Sequence, residues 1–280
     1  MQIIDAHQHL WDTSALRYPW LEGFDALRQR YTAEDYRATT AGASVIRSVH
    51  VEADPGEGEE ATEVEWLSRI AQQDGMIGAI VAAAPLESKS RRQTLDRLKS
   101  FPLVVGVRRM AWHRGDPDFY QSPELIEGVR TLADYGFSFD LCANVTQLHA
   151  ALVLVRETPE ISHIIDHCGG PDIAGGGFRP WAEQMSRLAD FPNTVCKISG
   201  IVTRASAQWT KEDLKPFIDH LIGVFGYDRV AFGSDWPVCT LAAQYGQWLD
   251  TLKWAVWDAS ETEKQKLFHD NAKRFYRIQD

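Results

Sequence analysis

Read from its amino end, the chain alternates short apolar runs with longer amphipathic stretches. Eight runs stand out: Gln2–His9, Val45–Glu52, Met76–Ala84, Leu103–Met110, Phe137–Cys142, Ser162–His167, Thr194–Ser199 and Arg229–Asp235. Their starts lie about 25 to 43 residues apart, which suits strand–helix units and is too wide for hairpins. Between the runs lie helical patterns. In Glu59–Gln73 the residues Ala61, Val64, Leu67, Ile70 and Ala71 keep roughly helical spacing. Ser122-Pro123-Glu124 opens another helix with a cap residue, a proline at the first helical position and an acid in the first turn. Two more helices are predicted over Leu241–Asp258 and Glu261–Arg274. Eight strands alternating with helices in 280 residues predict an α/β fold, a single (β/α)8 TIM-type barrel, regular or distorted, with an extra C-terminal helix. An open doubly wound sheet rarely needs eight parallel strands at this length. No repeat, linker or shift in composition divides the chain, so residues 1–280 read as one domain.

Composition narrows the classes of partner. Lys and Arg total 29 against 39 Asp and Glu, a net charge of −10. Such a chain repels phosphate backbones and anionic membranes unless it carries a basic patch. Its longest basic clusters, Arg91-Arg92 and Arg108-Arg109, are only pairs. The expected partner is a small molecule, without nucleic acid or membrane, and self-association stays open. No apolar run reaches the length of a membrane span. The start, Met1-Gln2-Ile3-Ile4-Asp5, lacks a basic stretch leading into an apolar one, so the cytoplasm is the expected compartment. Cys142, Cys168, Cys196 and Cys239 are widely spaced and read as reduced structural thiols.

Candidate chemistry sits at the strand ends. Buried parallel strands should be apolar throughout, yet these end in Asp5, His7 and His9, in His50 and Glu52, and in Arg108 and Arg109. The later ones end in Asp140, in Asp166 and His167, in Lys197 and Ser199, and in Asp235. In a barrel those ends converge on the face that carries the active site. His7 and His9 are two apart on a strand and so project to the same side. Asp235 ends the eighth strand, which neighbours the first once the barrel closes. Asp166 should point away from His167, and only one of Arg108 and Arg109 can face inward. His113 follows the fourth strand without an assigned role. His149, His163, His220 and His269 read as ordinary residues. No G-x-S-x-G is present, and the glycines at 169–170 and 175–177 lack the partners of a phosphate cradle.

The blocks Asp5-Ala6-His7-Gln8-His9-Leu10-Trp11, Asp166-His167-Cys168-Gly169, Lys197-Ile198-Ser199-Gly200 and Gly233-Ser234-Asp235-Trp236-Pro237, with the ending Asn271-Ala272-Lys273-Arg274-Phe275-Tyr276, together resemble the amidohydrolase superfamily. Within it they are similar to the lactonase branch. The resemblance implies a barrel hydrolase that opens a lactone, often a sugar lactone, to its hydroxy acid. It places metal or water ligands at His7 and His9, a further histidine at His167, and the catalytic carboxylate at Asp235, which also joins the metal set. Val104–Met110 holds no lysine to bridge two metals, which points to one zinc or to a metal-independent site. The alternative on the same barrel is a non-oxidative decarboxylase of an aromatic or unsaturated acid. Decarboxylases of this kind usually carry Glu where this chain has His7.

In the hydrolytic reading Asp235 takes the proton of the attacking water and returns it to the ring oxygen. His7 and His9 hold the water through Zn²⁺, or else Arg108 and His167 polarise the carbonyl. Glu52, Asp140 and Lys197 are candidates for binding substrate hydroxyls. Of ten tryptophans, Trp66, Trp248, Trp254 and Trp257 fall in helices and should pack against the barrel. Trp11, Trp112 and Trp236 follow strand ends, and Trp20, Trp181 and Trp209 lie farther along loops on that face. Those six are expected to wall the pocket, where indole faces suit the C–H side of a sugar ring.

Overall fold

The computed structural model describes residues 1–112 and 115–279, so His113 lies outside the described residues. Its eight strands are β1 Ile3–Gln8, β2 Val45–Val51, β3 Ile77–Ala83, β4 Val104–Arg108, β5 Ser138–Leu141, β6 His163–Ile165, β7 Thr194–Ile198 and β8 Val230–Phe232. They pair in chain order, all in parallel, as one sheet. Closure between the ends is thin. Gln8 bridges Trp236, His9 N–H donates to the Trp236 carbonyl at 2.7 Å, and Asp235 N–H donates to the His7 carbonyl at 2.8 Å. The result is a nearly closed (β/α)8 barrel.

Helices α1 Ala33–Thr40, α2 Glu60–Asp74, α3 Arg91–Lys99, α4 Pro123–Thr131 and α5 Leu148–Glu157 cover the first half of the sheet. Around the second half lie α6 Phe178–Ala189, α7 Lys211–Phe225, α8 Tyr245–Ala255, α9 Glu261–Gln265 and α10 Asn271–Phe275. Three of them, α1, α7 and α9, start on capping boxes (Thr32/Asp35, Thr210/Asp213 and Ser260/Glu263). The helix expected from Leu241 begins only at Tyr245, because Val238–Leu241 forms a separate short turn that edges the cavity. The stretch expected as one helix over Glu261–Arg274 is broken by a π turn at Lys266–Asp270. Among the described residues no helix is long and apolar enough to cross a membrane.

Apolar side chains fill two layers. Outside the sheet, residues such as Leu67, Leu95, Leu148, Leu188 and Leu221 seal strands to helices. Inside, Ile4, Ala6, Val49, Val51, Ala79, Val81, Ile164 and Ala231 fill the lower barrel, joined from the C-terminal tail by Tyr276 and Ile278. The tail therefore plugs the end opposite the site. Above that floor the interior turns polar.

Candidate active site

A bulge sets the first strand. Asp5 pairs with Ser48 and Gln8 with His50, so β1 spends one residue more than β2 over that step. Below the bulge Ile4 and Ala6 face the barrel interior; above it His7 and His9 do. Asp5, expected with them, instead accepts hydrogen bonds from Tyr36 Oη of α1 at 2.8 Å and Ser234 N–H at 2.8 Å. Strands β7 and β8 keep simple parity: Val195, Lys197 and Ser199 share one face, and Ala231, Gly233 and Asp235 share another. A Cβ at Gly233 would stand 2.8 Å from His7 Cβ and 3.0 Å from Ser199 Cβ, so only glycine lets these strands bring their side chains together.

Parity fails after β6. His167, Cys168, Gly169 and Gly170 all take positive φ, and this left-handed turn aims Asp166 and His167 at the same centre. Asp166 lies 3.3 Å from His7 Nδ1, 2.8 Å from Lys197 Nζ and 3.3 Å from Arg108 Nη1. The signal was present in the sequence, since Asp166 stands two residues beyond the inward Ile164.

The centre is a triad of donor atoms. His7 Nε2 and His9 Nε2 are 3.1 Å apart, and Asp235 Oδ1 lies 3.9 Å from the first and 3.4 Å from the second. His9 Nδ1 is 2.7 Å from the Val51 carbonyl. A carbonyl can only accept, so the proton sits on Nδ1 and Nε2 offers its lone pair. A proton on His7 Nδ1, shared toward Asp166, turns His7 Nε2 the same way. Tetrahedral zinc, with bonds of about 2.0–2.1 Å, spaces its ligands by roughly 3.3 Å, and the three atoms fit that spacing. His167 adds a fourth group, its Nδ1 lying 3.1 Å from Ser199 Oγ and 3.9 Å from Asp235 Oδ2.

Burial favours the neutral form of His7 and His167. Burial lowers the pKa of His7 well below its ordinary value, and the Lys197 charge lowers it further against the opposing pull of Asp166. Burial likewise lowers His167, with Asp235 and Asp166 opposing. For Asp166 burial pushes upward, but Lys197 and His7 outweigh it and hold the carboxyl well below the usual range.

A cavity of about 240 Å³ opens over this centre, lined by His9, Arg108, His167 and Asp235 at its floor and by residues including Trp20, Trp112 and Arg204 on its walls. Arg108, not Arg109, faces it; Arg109 pairs with Glu87 outside. Glu52, Asp140 and Lys197 do not line the cavity. They form a buried lattice around it: Arg108 binds Glu52 at 2.5 Å, and Lys197 binds Asp140 at 2.5 Å.

The tryptophans divide differently from expectation. Trp112 and Trp20 reach the cavity. Trp11 does not, because its ring is buried under the Asp12–Tyr31 loop, with its N–H on the Gln29 carbonyl at 2.8 Å and its ring against Trp20 at 5.5 Å. Trp236 turns away from Asp235 and packs between Tyr31 and Tyr36. Trp181 belongs to α6 and is buried against Phe217, and Trp209 donates to the Ala242 carbonyl. Trp257, expected to pack, is 70% exposed. His163 is buried beside Thr158 and His220 beside Ser186, away from the centre. All four cysteines are buried free thiols, and Cys142 edges the cavity.

Fold and site together define a barrel enzyme with an imidazole–carboxylate centre at the carboxyl ends of its strands. The profile of the amidohydrolase family matches residues 4–278, and the chain belongs to that family. It is 31% identical over 293 residues to the uncharacterized protein y4mH of Sinorhizobium fredii, covering 99% of this chain and 98% of the other. It is 29% identical over 280 residues to the L-fucono-1,5-lactonase of Burkholderia ambifaria, covering 98% and 95%. A crystal structure of an amidohydrolase from Burkholderia multivorans with bound zinc superimposes with a TM-score of 0.89 at 26% identity, over 100% of both chains.

Proposed function

We propose that this enzyme hydrolyses a small polyhydroxylated lactone, a sugar aldonolactone, to its hydroxy acid. The observation that carries the reading is the convergence of Asp235 and His9, on the floor of a cavity sized for one small ring, with His7 buried beneath them. The near full-length similarity to an L-fucono-1,5-lactonase supports it.

Asp235 takes a proton from water as the water oxygen bonds to the lactone carbonyl carbon. Arg108 and His167, in the same lining, stabilise the charge that develops on the carbonyl oxygen. The ring C–O bond then breaks, and the proton on Asp235 passes to the departing ring oxygen. Water is consumed, and the product is a hydroxy acid that releases one proton at neutral pH. His7, His9 and Asp235 are the residues that would hold a divalent metal, which supplies Lewis-acid polarisation and acidifies water when bound. Asp166 orients His7 and is itself held by Lys197, and Arg108 is held rigid by Glu52 and Asp166.

The test is a panel of aldonolactones in weak buffer with a pH indicator. Acid release from at least one is the expected result. No release across the panel, together with carbon dioxide release from an aromatic acid, would move the enzyme to the decarboxylases.

A further inference from the structure

We propose that Arg204, stacked on Trp112, forms an anion subsite in the cavity wall and that, among the sugar lactones opened here, one carrying a second acid function as carboxylate is preferred. The inference rests on the lactonase reading for the reaction and on the following geometry for the ligand.

Two guanidinium groups line the cavity. Arg108 already has its counter-charges, with Nε on Glu52 Oε1 at 2.5 Å, Nη2 on the Glu52 carbonyl and Nη1 on Asp166 Oδ2 at 3.3 Å. Arg204 does not. Among the described residues it has no hydrogen-bond acceptor and no carboxylate within ion-pair distance, and its Nε is buried without a partner. Burial lowers its pKa, with the more distant charge of Asp172 opposing. A half-buried cation without a counter-charge is an unfavourable element of a wall unless a ligand completes it.

The pair is held in place from both sides. Ile201 and Val202, in the short turn that carries Arg204, are buried, and the Arg204 carbonyl accepts from Ala174 N–H at 3.1 Å. The Trp112 ring packs so closely on Gly170 that a Cβ there would lie 2.8 Å from Cη2. The Arg204 guanidinium stands 4.8 Å over the Trp112 ring. Stacking occupies its face and leaves in-plane N–H donors for a ligand, a fork that matches the two oxygens of a carboxylate. Phosphate sites gather several donors or cations, whereas the described residues of this wall offer one. The chain's charge of −10 repels anions at long range, so such a substrate needs a local cation. With the ring ester over Asp235 on the floor, the group facing Arg204 is a second acid function of the same molecule. Hydrolysis then yields a dicarboxylate.

The experiment compares an aldonolactone, the aldarolactone of the same sugar and its 6-phosphorylated aldonolactone, using wild type, Arg204→Met and Arg204→Lys. The wild-type kcat/KM should be at least tenfold higher for the aldarolactone than for the neutral lactone. Arg204→Met should collapse that ratio at least tenfold, mainly through KM, and Arg204→Lys should restore part of it. Calorimetry with the open aldarate, which needs no turnover, should show binding that Arg204→Met weakens at least tenfold. An unchanged ratio in Arg204→Met, or a wild-type preference for the neutral or phosphorylated lactone, overturns the subsite. If no lactone is opened but aldarate binding still depends on Arg204, the subsite stands and the lactonase reading falls.

Discussion

Asp235 takes a left-handed backbone conformation, φ +58°, in which a non-glycine residue is strained by about 1–3 kcal/mol. The strain is held by its own backbone, with N–H on the His7 carbonyl and carbonyl receiving Cys239 N–H, both at 2.8 Å. Asp235→Asn keeps the shape of the side chain and removes its basic oxygen. Its kcat should fall about 10²–10⁴-fold; a fall below fivefold would remove Asp235 from the proposed role. A second residue makes the opposite kind of prediction. Glu63 of α2 is buried, accepts from Ala53 N–H at 3.1 Å and has Oε2 without a partner. Burial, then the charge of Glu52, pushes its pKa well above the ordinary value. The fold therefore keeps a proton that the unfolded chain loses above pH ~4.3. The stability this contributes is full below that pH and is lost as pH rises toward the folded value. Glu63→Gln retains the acceptor and cannot ionise. Melting curves should show the variant gaining on wild type between pH 5.5 and pH 8.5, by about 2–4 °C per kcal/mol. A gap that is constant with pH would show that Glu63 does not hold a proton in the fold.

At the scale of elements, the site depends on two local departures from regularity, the bulge in β1 and the left-handed turn after β6. Each re-aims side chains that strand periodicity alone would send elsewhere. The Asp12–Tyr31 loop is a third device, a small apolar unit of Trp11, Leu16, Tyr18, Leu21 and Leu27 that delivers Trp20 to the cavity. The closing elements are tied by Asn271, whose Nδ2 donates to the carbonyls of Tyr227 and Val230, both at 2.7 Å. These bonds lock α10 to the start of β8, which carries Asp235 at its far end. Asn271→Ala leaves a buried acceptor unpaired and should lower the unfolding free energy by about 1–3 kcal/mol. Urea denaturation would read this as a lower midpoint at unchanged slope; a midpoint equal to wild type would mean that water replaces the side chain.

For the whole molecule, the polar interior is rich in acid. Glu52, Asp140, Asp166 and Asp235 are buried around its centre with only Arg108 and Lys197 as buried cations among the described residues. A divalent cation held by His7, His9 and Asp235 would offset that excess and stabilise the native state by more than local bonds. Chelation should lower the melting temperature, and added zinc should restore it, with a gain of about 2.7 kcal/mol at a free concentration one hundred times Kd. Full activity and an unmoved melting temperature after chelation would establish that the enzyme works without metal. Periodicity in the sequence was enough to show eight strands, their order and the polar strand ends, because a buried parallel strand must be apolar except where function intervenes. His7, His9 and Asp235 were legible for the same reason, with His167 beside them. Only the tertiary structure decided that Asp166 and His167 both face the centre and that Asp5 leaves it, since a left-handed turn or a one-residue bulge inverts facing without marking the hydrophobic pattern. It also decided that Glu52, Asp140 and Lys197 pair with neighbours instead of lining the cavity, and that Trp11 and Trp236 support walls that Trp20 and Trp112 form. Arg204, an unremarked loop residue in the sequence, acquired a place only when two distant loops brought it over an indole ring. Facing within one strand is a local property of the chain; which loops meet above the barrel is set by packing among segments far apart in it.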